Sequence, residues 1–154
     1  MRFVADAMLG RLVRWLRVLG FDTHYRSFDP VHDIAQMAQR GWIPLTRQRK
    51  MIPLLEDAVL IRHNGIGEQL TQLKKTLLPE TCHVNWFSRC LLCNVLLMDA
   101  PEDAARDNIP EYVFYENINS IRFCPTCGRY FWPGSHRARM EKQLNSWGFT
   151  QPFS

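Results

Sequence analysis

Two Cys-x2-Cys pairs constrain the fold of this chain more than any other feature of its sequence. The pairs are separated by 30 residues and consist of Cys90, Cys93, Cys124 and Cys127. Each pair is followed by a residue that readily adopts a positive φ, Asn94 after the first and Gly128 after the second. A Cys-x2-Cys turn presents two thiolates from one tight hairpin, and a structural zinc ion takes four. The spacing therefore predicts a structural zinc site with these four cysteines as ligands.

Two other interpretations of the pairs remain open. Cys124-Pro-Thr-Cys127 alone has the spacing of a redox dithiol, and the four cysteines could also form two disulfides. Neither interpretation explains why two matching pairs each carry a turn residue. Four thiolates leave no open coordination position, so a zinc ion bound here would hold the fold together and would not take part in catalysis. We expect the fifth cysteine, Cys82, to be a free thiol.

Strand-like and helix-like segments alternate through the first half of the chain. Predicted strands cover residues 3–5, 21–26, 42–45 and 58–61, and predicted helices cover residues 8–19, 30–40, 52–55 and 66–78. Strict alternation predicts an α/β fold with a parallel sheet and helices on both faces. After about residue 84 the pattern gives way to paired cysteines with Trp, Pro and Gly. We therefore predict an α/β domain over residues 1–83 and a second module over residues 84–154, with a short basic helix near its end.

Polar residues follow two of the predicted strands. Asp6 comes directly after the first strand, and Thr46, Arg47 and Gln48 follow the third. Ligands of parallel sheets bind at the carboxyl ends of the strands, so we expect one cleft to contain these residues.

The net charge of +4 lies entirely in the first half of the chain. Residues 1–84 contain 12 Lys and Arg against 8 Asp and Glu, whereas residues 85–154 contain 7 of each class. Arg11, Arg14 and Arg17 recur every three residues on the first predicted helix, and Arg47 follows the third strand. Such side chains can clamp phosphates, or they can form a solvated helix face with their stems over apolar neighbours.

No apolar run approaches the roughly 18 residues needed to span a bilayer. The charged segment Met1 to Asp6 argues against a secretory signal. We expect a cytoplasmic protein with no membrane partner.

Three stretches together resemble the Mut-seven C-terminal RNase domain family, in which a PIN-like nuclease domain is fused to a zinc ribbon. They are residues 6–20, residues 43–47, and residues 88–94 together with 124–136. The resemblance implies a three-layer α/β/α PIN-like core and a C-terminal zinc ribbon. It further implies that acidic residues at the strand ends bind Mg²⁺ or Mn²⁺ and activate water for attack on an RNA phosphodiester.

The resemblance transfers to individual residues only in part. Asp6 matches the acidic residue after the first strand, and Asp33 is the best match to the acidic cluster of the second helix, with Asp29 close by. The family pattern has an Asp where this chain has Gln48, and commonly an Asp where it has Asn64. Two carboxylates in place of three or four would bind a hard cation more weakly.

Two functions therefore follow from the resemblance. One is a metal-dependent ribonuclease that uses Asp6, Asp33 and Gln48. The other is a non-catalytic module on the same fold that binds RNA, single-stranded or structured, or binds protein. Where the partner is RNA, we expect it to be contacted by a basic set consisting of Arg11, Arg14, Arg17 and Arg47.

Overall fold

A four-stranded parallel sheet forms the centre of the first half of the chain. The computed structural model describes residues 1–25, 30–78 and 85–151. The strands are β1 (Arg2–Ala5), β2 (Asp22–Tyr25), β3 (Ile43–Thr46) and β4 (Val59–Leu60). Their order across the sheet is β2-β1-β3-β4, and every neighbouring pair is parallel. The predicted α/β class with a parallel sheet is confirmed.

Helices cover both faces of this sheet. They are α1 (Gly10–Val18), α2 (Pro30–Gln39) and α3 (Ile66–Thr76), with 3-10 helices at Ala7–Leu9 and Arg49–Leu54. Phe3 and Val4 of β1 are both fully buried, although successive strand residues point to opposite faces. A strand that is buried on both sides has apolar residues at successive positions of its sequence. This explains why β1 shows no alternation of polar and apolar residues.

Each face of the sheet has its own apolar contacts. Val4 packs in a cluster with side chains of α2 and of the second 3-10 helix, namely Ile34, Met37, Met51 and Leu55. Phe3 contacts the Phe21 ring edge-on, with 5.5 Å between the ring centroids. These contacts give the three layers that the resemblance implied.

Gly20 ends the segment that contains α1. Its φ is +94°, in the left-handed region where a residue without Cβ has the lowest energy. A Cβ at this position would overlap the carbonyl oxygen of Asn85. The predicted helix over residues 8–19 thus ends directly before Gly20, and the close approach of Asn85 adds a second reason for glycine.

The later part of the chain contains a small antiparallel sheet and three helices. Its strands are β5 (Met98–Asp99), β6 (Arg122–Phe123) and β7 (Tyr130–Phe131), in that order across the sheet. Its helices are α4 (Glu102–Asn108), α5 (Glu111–Asn117) and α6 (Ser135–Ser146). The predicted short basic helix near the end of the chain corresponds to α6.

Helices α4 and α5 were not predicted from the sequence. Each has seven residues and follows a proline, Pro101 or Pro110. A helix of two turns is too short to show an apolar repeat. The only sequence signals for these helices are therefore the preceding proline and the acidic residues in the first turn. Their apolar residues pack with Ile121, and Tyr130 and Trp132 lie against the same cluster.

The chain divides into two compact units, residues 1–94 and residues 95–150. The division at residues 83 and 84 remains a prediction from the sequence, and residues 79–84 lie outside the described part. Within residues 1–25, 30–78 and 85–151, no helix combines the length and the apolar character needed to cross a bilayer.

Candidate functional site

Asp6 lies at the carboxyl end of β1 and is fully buried. Its Oδ1 accepts a hydrogen bond from the Met8 amide at 2.9 Å, which caps the first 3-10 helix. Its Oδ2 accepts hydrogen bonds from the Thr46 hydroxyl and from the Arg47 amide, the latter at 3.2 Å. Three donors therefore hold a carboxylate that has about four acceptor positions. The carboxylate is fixed in place, with capacity for about one more contact.

The end of β3 supplies most of this arrangement. Thr46 is fully buried, and its hydroxyl oxygen also accepts a hydrogen bond from the Gln48 amide at 3.0 Å. The backbone of Gln48 is thus joined to the Asp6 carboxylate through one hydroxyl group. Asp6 is therefore bonded to the Thr46 side chain and the Arg47 amide, and Gln48 joins them through its backbone. That one cleft contains these residues remains a prediction.

The segment after β4 reaches the same edge of the sheet. The Arg47 guanidinium donates a hydrogen bond to Oδ1 of Asn64. Gln69 of α3 is buried and donates through Nε2 to the His63 carbonyl oxygen at 2.9 Å, which fixes this segment. Asn64 therefore occupies the position where the resemblance placed an acidic residue, and there it binds an arginine. The buried position of Gln69 could not be predicted from the sequence, because a glutamine on a helix usually faces solvent.

Asp33 lies in the first turn of α2 and is exposed. Asp29, its neighbour in the predicted acidic pair, lies outside the described residues. Within residues 1–25, 30–78 and 85–151, the four cysteines are the only group of three or more His, Cys, Asp or Glu side chains that could hold a metal ion. The acidic residues of the described part therefore form no such group of three.

The predicted basic residues fall into two kinds of environment. Arg11 and Arg14 of α1 are exposed, and Arg47 is half-buried beside Asn64. Arg17 is half-buried, and its described hydrogen bonds go to backbone carbonyl oxygens of Thr23, Leu91 and Leu92. Burial lowers the pKa of the Arg17 guanidinium, while the nearby Cys90 and Cys93 thiols and the Asp22 carboxylate act in the opposite direction. Arg17 therefore remains a predicted RNA contact, but its described bonds are structural.

The four cysteine side chains cluster. The Sγ atoms of Cys90, Cys93, Cys124 and Cys127 all lie within 4.8 Å of one another. Tetrahedral coordination with metal–sulfur bonds near 2.3 Å places sulfur atoms about 3.8 Å apart, so the cluster fits a metal such as zinc.

The two cysteine turns have the same local geometry. The amide of Asn94 donates to the Cys90 carbonyl oxygen at 2.9 Å, and the amide of Gly128 donates to that of Cys124 at 2.8 Å. Asn94 and Gly128 have φ values of +66° and +70°. The predicted positive φ after each pair is confirmed, and the matching geometry is consistent with a zinc ribbon.

Comparison with known protein families shows to which family the chain belongs. The Mut7-C RNAse domain family matches residues 1–144, which is nearly the whole sequence. The chain belongs to the Mut7-C RNAse domain family. Membership in an RNase domain family indicates a nuclease-like, RNA-related function. Comparison with curated proteins and with solved structures gave no match.

Two residues of β2 have structural roles that could not be predicted from the sequence. Both lie in the part of the chain that the Mut7-C RNAse domain family matches. The Tyr25 hydroxyl donates to the Ala7 carbonyl oxygen at 2.9 Å, beside Asp6. Thr23 is fully buried and is bonded through its backbone to Arg17 and Asn94. Neither residue carries a sequence signal, because Thr and Tyr are ordinary strand residues.

Proposed function

We propose that this Mut7-C chain is a metal-dependent ribonuclease whose acidic site lies at the carboxyl edge of the parallel sheet. The observation that carries the proposal is the Asp6 carboxylate, which is buried at that edge and oriented by donors from β3 and from the first 3-10 helix. A buried carboxylate fixed in this way is preorganised for a hard cation, which takes oxygen ligands.

The proposed cation ligands are Asp6, Asp33 and Gln48. Mg²⁺ or Mn²⁺ bound there would supply positive charge for the scissile phosphate and would activate a water molecule. The chain's own contribution is to hold the Asp6 oxygens still and to present Arg47 next to them. Gln48 offers an uncharged amide oxygen, so we expect weak binding that leaves most of the cation's water shell in place.

The basic set defined above, Arg11, Arg14, Arg17 and Arg47, is proposed to bind RNA phosphates. Arg11 and Arg14 are the stronger members, because both are exposed on the helix that begins next to Asp6. Four-thiolate zinc, held by the cysteine cluster, is proposed as a structural cofactor of the ribbon. We further propose that the protein works in the cytoplasm, where thiols stay reduced.

A second candidate function is RNA binding without cleavage. The observation that favours it is the absence of any three-carboxylate group among residues 1–25, 30–78 and 85–151. With fewer carboxylates, the repulsion between phosphate and site falls, but so does the affinity for the cation.

The test is cleavage of one labelled RNA across a Mn²⁺ titration. The wild-type chain is expected to cleave at millimolar Mn²⁺, and Asp6→Asn is expected to remove cleavage while retaining most RNA affinity, since phosphate contacts come mainly from arginines. Gln48→Asp is expected to lower the required Mn²⁺ concentration by about tenfold or more, because a carboxylate and a divalent cation about 4 Å apart attract each other by about 2 kcal/mol even in water.

Gln39→Asp is the matched control for the added charge. Gln39 ends α2, so it lies at the sheet edge opposite to the strand carboxyl ends. This control should leave the Mn²⁺ requirement unchanged. If the wild-type chain and Gln48→Asp both bind RNA but neither cleaves it with Mn²⁺, the non-catalytic function replaces the nuclease.

A further inference from the structure

The first cysteine turn is held against the parallel sheet within the unit formed by residues 1–94. The Phe87 amide donates to the Val18 carbonyl oxygen at 2.7 Å, at the end of α1. Arg89 donates through Nε to the Gly20 carbonyl oxygen at 3.0 Å. The backbone leading into Cys90 is therefore anchored on the loop between α1 and β2.

Arg17 joins the turn to β2 through one guanidinium group. Its Nε and Nη2 atoms both donate to the Thr23 carbonyl oxygen, at 3.0 and 2.9 Å. Its Nη1 atom donates to the carbonyl oxygens of Leu91 and Leu92, at 2.8 and 2.9 Å. Leu91 and Leu92 are the two residues between Cys90 and Cys93, so the arginine holds the backbone of the ligand turn itself.

Asn94 also connects the cysteine turn to β2. Its Oδ1 accepts a hydrogen bond from the Thr23 amide at 3.0 Å, and its Nδ2 donates to the Asp22 carboxylate. The Thr23 amide is thus bonded by a residue of the cysteine turn, and the Thr23 carbonyl oxygen by an arginine that also binds the turn. Asn94 is buried, and its positive φ completes the turn, so its position depends on the turn being formed.

Strand β2 leads from this point to the candidate acidic site. Thr23 pairs with Phe3 of β1, and two residues later the Tyr25 hydroxyl binds the Ala7 carbonyl oxygen. Ala7 follows Asp6 directly. Hydrogen bonds at the two ends of β2, together with the backbone of the strand between them, therefore connect the cysteine turn to the loop that carries Asp6.

We propose that Arg17 and Asn94 are positioning residues that couple metal binding at Cys90 and Cys93 to the order of β2. A bound metal fixes the two cysteine side chains, and with them the Leu91 and Leu92 carbonyl groups that Arg17 requires. Loss of the metal frees these carbonyl groups and loosens the hydrogen bonds at Thr23. This inference rests on the metal site proposed above and adds residues outside the ligand set.

The first experiment measures zinc release from the purified chain to an excess of a chromogenic chelator. Groups that orient metal ligands typically contribute 10- to 100-fold in metal affinity, so Arg17→Met and Asn94→Gly should each release zinc about 10- to 100-fold faster. Glycine keeps the positive φ at position 94 and removes only the amide contacts. Arg17→Lys keeps the charge but lacks the planar fork that reaches three carbonyls, so it should resemble Arg17→Met.

Arg14→Met is the matched control, because it removes the same charge from the exposed face of the same helix. Its zinc release should match that of the wild-type chain. Equal release from all four variants and the wild type would overturn the coupling.

The second experiment needs no substitution, so it stands even if a variant fails to fold. Amide hydrogen exchange is compared in the wild-type chain with zinc and after chelation. The Thr23 amide should exchange at least about tenfold faster without zinc, while the Leu70 amide in the buried part of α3 should change less than twofold. Unchanged exchange at Thr23 in a chain that loses one zinc overturns the coupling and leaves the metal site standing. A wild-type chain that binds no zinc overturns the metal site and the coupling together.

Discussion

The Thr46 hydroxyl donates a hydrogen bond to the Asp6 carboxylate, and both side chains are fully buried at the carboxyl edge of the sheet. The same hydroxyl oxygen accepts the Gln48 amide. One side chain therefore satisfies a fully buried carboxylate and a partly buried amide. A buried polar group left without a partner costs about 1–3 kcal/mol, which makes Thr46 a sensitive position.

Thr46→Val should accordingly lower the free energy of unfolding by about 1–3 kcal/mol, because valine keeps the shape and removes both hydrogen bonds. Thr46→Ser keeps the hydroxyl and loses one methyl group, so it should cost about 1 kcal/mol. Urea denaturation monitored by tryptophan fluorescence measures both. Equal losses for the two variants would show that the hydroxyl contributes nothing to the arrangement.

Glycine at position 20 is required for two independent reasons, the positive φ and the Asn85 carbonyl. Gly20→Ala should destabilise the chain by about 2 kcal/mol or more, since the left-handed conformation alone costs about 1–2 kcal/mol for a residue with Cβ. Gly10→Ala is the control, because there a Cβ would meet only the Tyr25 ring at an ordinary 3.6 Å. Thermal unfolding should show a lower Tm for the first variant and an unchanged or higher Tm for the second.

The zinc content of the purified chain tests whether the four clustered cysteines bind the metal. Elemental analysis should find about one zinc per purified chain, as four thiolate ligands require. Cys93→Ser should remove most of the metal, because a hydroxyl is a poor zinc ligand. Cys82→Ser changes a cysteine outside both pairs and should leave about one zinc in place. Loss of zinc from Cys82→Ser, or its retention by Cys93→Ser, would show that the ligand set is wrong.

RNA affinity should depend steeply on salt. Each phosphate contact to a single strand contributes about 0.7 to the slope of log affinity against log salt, so removing Arg11 and Arg14 together as alanines should reduce the slope by about 1.4. Filter binding or fluorescence anisotropy over a salt series measures this slope. The control replaces Lys74 and Lys75, two exposed residues in the last turn of α3, at the sheet edge opposite to Asp6. A control that lowers the slope equally would indicate a general effect of charge.

The sequence was most informative where a pattern repeats or where backbone geometry demands one residue type. The alternation of strands and helices predicted the parallel sheet, and the cysteine spacing with Asn94 and Gly128 predicted both turns. These features are local, so a short stretch of sequence contains them in full. The family resemblance, confirmed over residues 1–144, added the functional class.

Hydrogen bonds between residues far apart in the chain could not be predicted from the sequence. Spacing alone groups Arg17 with Arg11 and Arg14, yet two of the three residues that Arg17 binds lie 74 and 75 residues away in the chain. No periodicity within one helix can indicate which of three arginines turns inward. The short helices α4 and α5 were missed for a related reason, because their apolar residues become meaningful only when packed together.

Strand β2 is one of the two outer strands of the parallel sheet, and this position has a consequence for self-association. An outer strand offers unpaired N–H and C=O groups to any other extended chain, which is the usual route to edge-to-edge aggregation. In this protein the Thr23 amide and carbonyl groups are already occupied by Asn94 and Arg17. Asn94 of the cysteine turn and Arg17 of α1 thereby block the pairing of a second molecule's strand with β2 at Thr23.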